Sequence, residues 1–279
     1  MLPGTVRQLH FNSTGDPNVD CIEIEHNDFV GECDLLPSFL QWFSDECRIA
    51  DEILLPGVSA SISLRRDGLL HAARCAPAFA NRELRSVKNG TGIAAGFGRN
   101  TRQRLNKSFR EFERAGSLRI EEAQDAPTAL AYFEALKLFH IRHWNGKAKQ
   151  HAFRRRYFEA FHRELIGNSF ASGNVQLLKI SAGSTVAGYL YNFRHGNCTY
   201  AYQSGFDYTD PGLRPGYVSH ALAMDRSALA GGEEYDFLAG DNRLKRDFAS
   251  QEYLMSWHRF SRRRPRMRLE ATIRAALRR

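Results

Sequence analysis

The stretch that most constrains this chain is Cys198 to Asp241. Cys198-Thr-Tyr-Ala-Tyr-Gln-Ser-Gly-Phe206 alternates with the period of two of a half-buried strand. Asp210-Pro211-Gly212 marks a loop, and Pro215 falls where a first helical turn tolerates a missing N–H. Val218, Ala221, Leu222 and Leu229 follow at helical spacing, and Gly231-Gly232 ends the run as a C-cap. Tyr235 to Leu238 is a second strand. The order strand, loop, helix, strand leaves unpaired N–H groups of Gly216, Tyr217, Val218 and Ser219 at a positive helix end. Such an end is suited to an anion or to open water.

The elements before this unit are shorter-range signals. Leu36, Phe39, Leu40, Phe43 and Cys47 share one helical face, with Asp34 as N-cap. Ile53 to Leu55, Ser59 to Leu64 and Leu69 to Arg74 read as strands, with Arg66-Asp67-Gly68 turning between two of them. Asn81 to Gly98 is a glycine-rich connection that lacks the Gly-Lys-Ser/Thr ending of a phosphate loop. Asn100 or Thr101 caps a helix with a Leu105, Phe109 and Phe112 stripe, and its other faces carry Arg99, Arg102, Arg104, Lys107, Arg110 and Arg114. After a strand at Leu118 to Glu122, Asp125-Ala-Pro127 starts a helix whose face holds Phe133, Leu136, His140 and Trp144. The next helix shows Phe153, Tyr157, Phe161 and Leu165, beside a basic segment with Lys147, Lys149 and Arg154-Arg-Arg156. Val175 to Ile180, Ser184 to Phe193 and Cys198 to Phe206 read as antiparallel hairpin strands, and a last strand lies near Tyr253 to Phe260.

Four blocks in this order carry a resemblance. They are Gly188-Tyr-Leu-Tyr-Asn-Phe193; Tyr200 to Phe206; Pro215-Gly216 with Val218-Ser-His-Ala-Leu222; and Tyr235-Asp-Phe-Leu-Ala-Gly-Asp241 with Lys245. Together they resemble the GNAT superfamily of acyltransferases, and more narrowly its cellulose-biosynthesis-associated acetyltransferase-like branch, related to the Fem-type transferases. The resemblance implies an α/β (α+β) fold, a mixed and mostly antiparallel sheet flanked by helices. It divides the chain into a partial GNAT-like half at 1–98, a basic connecting helix at 99–116, an acyltransferase domain at 117–261 and an arginine-rich tail at 262–279. Residues 1–98 hold only part of a complete repeat, which fits a degenerate first half or a truncated start.

The activity this implies is N-acyl transfer from an acyl-CoA thioester, such as acetyl-CoA, to a small-molecule or saccharide amine, by direct attack in a ternary complex. It needs positioning, a deprotonated acceptor, donors for the carbonyl oxygen and an anion site. Asp241, Lys245 and Tyr202 are the catalytic candidates, the first two as a pair. Gln203, Ser204, Pro215, Gly216, Tyr217, Val218 and Ser219 are the donor-binding candidates, and His140, Trp144 and Arg243 the acceptor-binding ones. Tyr217 and Tyr253 are candidates to protonate the leaving thiolate. In the two candidates Tyr202 and Gln203, alternation admits only one to the cleft. No metal is called for.

One motif departs from the family. Its pyrophosphate turn reads Gln or Arg, two spacers, Gly, one spacer, then Gly or Ala, whereas here the turn is Gly212-Leu-Arg-Pro-Gly216-Tyr. An aminoacyl ester on tRNA, the donor of Fem-type enzymes, is the alternative. A catalytically idle accessory protein of polysaccharide synthesis is the third reading.

Bulk properties bound the rest. A composition 43% hydrophobic and 25% charged is that of a globular chain. No run approaches the roughly 20 apolar residues of a membrane span, so the expectation is a soluble cytoplasmic protein. Five scattered cysteines without a CxxC fit reduced thiols, with Cys198 as packing or nucleophile. The net charge of +8 is uneven: residues 1–60 hold eleven acidic residues against two arginines, and the tail from Arg262 holds eight arginines against Glu270. That tail reads as a solvated end or as an amphipathic helix for peripheral contact with a membrane or partner.

Overall fold

The structure is a computed structural model that describes residues 5–22, 24–29, 35–59, 68–84, 92–147, 151–210 and 212–276. Asp34, Cys33, Pro211, Lys149, most of the Ser59 to Leu64 strand and the Arg66-Asp67 turn lie outside the described residues. The chain forms two compact units, Met1–Pro77 with Leu254–Arg279, and Ala78–Tyr253.

The first unit orders its strands β1 (Gln8–His10), β2 (Glu52–Ser59), β9 (Gln251–Arg262) and β3 (Leu69–Asn81), the last two by their portions within the unit. β1 runs parallel to β2, and β2 antiparallel to β9. α1 (Leu36–Asp45) buries Leu36, Leu40 and Phe43 against Ile53, Leu55, Val58 and Phe260, the face that helical spacing predicts. α7 (Pro265–Ala276) makes a helix of the tail. Glu52 is wholly buried but bonded by Arg259, Gln8 and Ser261, so its charge is compensated.

The second unit orders the end of β3, then β8 (Glu234–Ala239), β7 (Cys198–Phe206), β6 (Thr185–His195), β5 (Val175–Ala182) and β4 (Leu118–Glu122). β4 through β7 are antiparallel, as the short glycine turns predict, while β7 runs parallel to β8. The sheet is thus mixed and mostly antiparallel, with helices on both faces. On one face α2 (Arg99–Glu113) and α5 (Pro215–Leu229) cover Leu178, Ile180, Leu190 and Phe206. On the other, α3 (Ala126–Trp144) and α4 (Arg156–Ser169) cover Tyr189, Tyr191 and Phe193. Each such buried side chain contributes about 1.5–3 kcal/mol. Gly205 lets α3 approach β7: a Cβ there would lie 2.2 Å from the Leu136 carbonyl oxygen.

Local signals hold at α3, where Asp125 caps by accepting from the Thr128 N–H at 2.7 Å. Two expectations are corrected. α2 begins at Arg99 with Gly98 as N-cap, so Asn100 and Thr101 lie inside the helix; the glycine needs no side chain to enter it. α4 buries Phe158, His162 and Ile166, whereas Tyr157 is exposed and Phe161 and Leu165 flank the core. A polar histidine holds the central core position there, which turns the buried face by one residue from the apolar pattern. Among the described residues Cys21, Cys47, Cys75 and Cys198 are free thiols, and burial pushes the Cys198 thiol up to about 12. No described helix is long and apolar enough to cross a membrane.

Candidate functional site

β7 follows β6 along its whole length, from His195↔Cys198 to Gly188↔Phe206. Its register with β8 spans only Cys198↔Glu234, Thr199↔Tyr235 and Tyr200↔Asp236. From Ala201 to Phe206 the edge facing β8 is unpaired with it, and backbone groups on such an edge require other partners. The two strands therefore open a wedge.

Irregularities flank the parting on both strands: the β6–β7 register shifts between Ala201 and Gln203, and β8 has an unusual backbone at its end. Leu238 has φ +63, a left-handed conformation that a leucine rarely adopts. Asp236, 1% exposed, holds it by accepting from the Leu238 N–H at 2.7 Å. Tyr253 Oη donates to the same carboxylate, 2.9 and 2.7 Å from its two oxygens. Lys245, from α6 (Arg243–Phe248), donates its Nζ to the carbonyls of Leu238 at 3.2 Å and Ala239 at 2.6 Å.

His220 of α5 occupies the space beneath the wedge. Its ring lies 5.8 Å from Phe206 at the end of β7 and 5.4 Å from Phe237 of β8. Its Nδ1 is 3.0 Å from Tyr235 Oη, and Nε2 has no partner among the described residues. Burial, with the nearby Lys245 charge, pushes its pKa down to about 3, so the ring is neutral.

The start of α5 adjoins this space. A Cβ on Gly216 would meet Leu244 at 3.2 Å and the Phe206 ring at 3.3 Å, so the first turn is packed closely between them. No side chain caps the helix. Tyr217 Oη donates to Asp247 at 2.7 Å, and burial followed by that carboxylate raises its pKa to about 12. Arg104 also bonds Asp247 at 3.0 Å, Arg243 lies 3.7 Å from it, and the Arg214 guanidinium is 5.7 Å from the Tyr217 ring. Two guanidinium groups thus hold one carboxylate, and a third lies over the Tyr217 ring of the same helix N-terminus, a donor set suited to phosphate.

The remaining sequence candidates fall in two places. Asp241 pairs with Arg246, so Arg246 takes the position expected of Lys245; one helical residue further on, it reaches back over the α6 cap. Tyr202 and Gln203 do not alternate between faces, because a bulge in the β6–β7 register falls between Ala201 and Gln203. Tyr202 meets the α3–α4 layer, its Oη 2.9 Å from His162 Nε2. Gln203 Oε1 accepts from the Ser204 N–H at 3.0 Å, and the Ser204 carbonyl lies 3.3 Å from His140 Nδ1. His140 is buried, its pKa is pushed down to about 4 by burial, and its Nε2 has no partner among the described residues. Trp144 is 39% exposed and packs beside it. Ser219 is wholly buried with its hydroxyl unpartnered among the described residues. Sequence reasoning passed over His220, Tyr235 and Asp236. The available signal was a histidine on the apolar face of a helix that follows the Val218-Ser motif.

Residues 99–246 match the acetyltransferase (GNAT) domain. The chain belongs to that family. Its members are acyltransferases, and the wedge lies within the matched span. No curated protein sequence matches the chain. Among solved structures it is similar to a conserved protein of unknown function from Bacteroides thetaiotaomicron, with a TM-score of 0.57 and 10% identity over 83% of this chain and 77% of that one. It is also similar to FemX, with a TM-score of 0.55 and 11% identity over 92% and 81% of the two chains. A third is the C-terminal domain of an Agrobacterium fabrum protein described as a lysylphosphatidylglycerol synthetase, with a TM-score of 0.58 and 13% identity over 90% and 80%. At these identities the likeness concerns the fold.

Proposed function

We propose that this GNAT-family chain transfers an acyl group from a coenzyme A thioester to an amine, with the reacting carbonyl seated in the wedge between β7 and β8. The observation that carries the reading is the parting of the strands after Tyr200↔Asp236, with His220 and Lys245 set where they part. An extended donor can lie along the unpaired β7 edge. Its pyrophosphate is then assigned to the start of α5, at Pro215 to Ser219, with Arg214 and Arg243 at hand.

In the reaction the neutral amine attacks the acyl carbon, a C–N bond forms and the C–S bond breaks. The leaving thiolate takes up a proton and the new amide nitrogen loses one. Lys245, by fixing the Leu238 and Ala239 carbonyls, keeps the wedge open and supplies positive charge near the developing oxyanion. Tyr217, whose hydroxyl donates to Asp247 within the arginine cluster, belongs in this reading to the pyrophosphate end of the donor.

A second reading rests on a different observation. Arg99, Arg102, Lys107 and Arg110 form an exposed basic face on α2, and two of the similarly folded proteins are FemX and one described as a lysylphosphatidylglycerol synthetase. An aminoacyl ester of tRNA would use the same wedge, breaking a C–O bond in place of C–S. Calorimetric titration with acetyl-CoA and with bulk tRNA at two salt concentrations separates the two. Saturable acetyl-CoA binding that Arg243→Ala weakens is the result expected. Salt-dependent tRNA binding without acetyl-CoA binding transfers the proposal to the ester donor, because phosphate contacts weaken as salt rises. Binding of neither overturns both.

A further inference from the structure

The arginine-rich tail, which acyl transfer leaves without a part, forms α7 in the first unit, and the outer face of that helix is apolar. Leu269, Thr272, Ile273 and Ala276 recur at i, i+3, i+4 and i+7, so they make one stripe along it. All four are exposed, Leu269 at 63% and Ile273 at 49%. Thr272 donates its hydroxyl to the Arg268 carbonyl one turn back at 3.0 Å, so the one hydroxyl of the stripe is satisfied within the helix. The inward position belongs to Met267, which is buried. A helix end that only had to be solvated would turn its charges, not Leu269 and Ile273, outward.

The charges lie along the edges of the stripe. By helical spacing Arg268 borders it on one side, and Arg266 with Glu270, 3.5 Å apart, borders it on the other. Arg262 and Arg264 hold the start of the helix in place. Arg262 donates to the carbonyls of Phe43 at 2.6 Å and Ser44 at 3.1 Å and to that of Cys47, all at the end of α1, and Arg264 pairs with Asp51 at 2.8 Å. The loop clamped in this way carries Arg48 and Ile49, both exposed. Arg263 and Arg268 are exposed and form no ion pair among the described residues. A fixed helix thus shows an apolar stripe with unneutralised arginine beside it.

We infer that α7 lies on an anionic lipid surface, with Leu269 and Ile273 at the acyl boundary and Arg263 and Arg268 at the headgroup phosphates. Charge complementarity and the apolar stripe select this partner together. A nucleic acid would take the arginines but offers nothing to Leu269 and Ile273. A second copy of the chain would cover the stripe but set arginine against arginine. An anionic membrane surface receives both, since arginine stems lie along apolar surface while their heads reach phosphate. At 12 residues α7 is too short to cross a bilayer and lies in its surface.

The test is co-sedimentation of the full chain with lipid vesicles. Binding to phosphatidylcholine mixed in equal parts with phosphatidylglycerol is expected, falling as salt rises, with little binding to phosphatidylcholine alone. Leu269→Ser combined with Ile273→Ser keeps every charge and is expected to weaken binding roughly tenfold. Arg263→Gln and Arg268→Gln are expected to weaken it roughly fivefold each. All four side chains are exposed, so urea midpoints are expected to stay in place. No binding to the mixed vesicles, or equal binding to phosphatidylcholine alone, overturns the inference. A serine double variant that binds as wild type does so too, because charge alone then holds the protein. Bulk tRNA bound more tightly than the mixed vesicles, with no effect of the serine pair, assigns the face to nucleic acid and overturns the lipid partner. Leu269→Trp gives a reading that depends on no weakened variant: the emission it adds to that of wild type is expected to move to the blue on mixed vesicles, and an unmoved emission overturns the seating of the stripe. None of these measurements needs turnover, so failure of the acyl-transfer reading leaves them standing as a separate result.

Discussion

Two buried histidines, in two layers of the same unit, differ in how far their hydrogen-bonding capacity is met. His162, in the α3–α4 layer, is 1% exposed and its pKa is pushed down to about 4; His220, beneath the wedge, is 8% exposed and pushed down to about 3. Burial and titration do not separate them. Hydrogen bonding does. His162 places Nδ1 3.1 Å from Tyr191 Oη and Nε2 2.9 Å from Tyr202 Oη, within a cage of Phe133, Phe158, Phe161 and Phe193. His220 places Nδ1 3.0 Å from Tyr235 Oη, and Nε2 has no hydrogen-bond partner among the described residues. A saturated histidine completes a core, and a half-saturated one has capacity for a ligand.

The largest effect expected from breaking this contrast is His162→Ala. It leaves a cavity and strands the Tyr191 and Tyr202 hydroxyls, at a cost of about 3–5 kcal/mol. Urea unfolding measures it. Acetyl transfer per folded molecule is expected to stay within a few-fold of wild type. A normal midpoint with lost turnover would instead place His162 and Tyr202 in the chemistry.

The next effect is on pH. His162 and His140 have folded pKa values of about 4, set first by burial, against about 6.5 when unfolded. The folded chain therefore binds fewer protons between these values, and stability is full above about 6.5 and falls as pH drops toward 4. His162 accounts for about 3 kcal/mol of that loss at full extent. Unfolding midpoints from pH 7.5 to 4.5 should fall more shallowly in His162→Phe than in wild type. Equal slopes would mean that another group drives the loss.

A smaller effect, about 2 kcal/mol, is expected of Asp236→Ala, which removes the acceptor of both Tyr253 Oη and the Leu238 N–H. The variant should unfold at lower urea and bind acetyl-CoA more weakly, because the wedge loses its fixed edge. Weakened stability with unchanged binding would detach the backbone at Leu238 from the wedge.

What could be read in advance follows the range of each cause. α1, β4, α3, the β5–β7 hairpins and α5 were legible because spacing, Asp125, Pro215 and glycine turns act locally. The face of α4 was not, since His162 becomes a core residue only when Tyr191 and Tyr202, distant in sequence, supply its partners. The bulge at Tyr202 likewise depends on the register with β6. For the site, the motifs led to Lys245 and the start of α5. The pairing of Asp241 with Arg246, the backbone at Leu238 and the contact of His220 with Tyr235 depend on contacts that no spacing encodes.

The smallest effect tests whether the wedge stores strain that the histidine-filled layer does not. A leucine held at φ +63 costs on the order of 1–3 kcal/mol, which the Asp236 and Lys245 hydrogen bonds offset. Leu238→Gly removes that strain and also a half-buried side chain, so the two changes nearly cancel, to within about 1 kcal/mol. Leu238→Val keeps an apolar group but adds β-branching, which resists the left-handed region further, and is expected to cost about 2 kcal/mol. Urea unfolding of the pair separates backbone from side chain. If glycine destabilises as much as valine, the leucine is retained for its packing. If glycine is neutral and valine is not, the left-handed backbone itself is what the chain keeps.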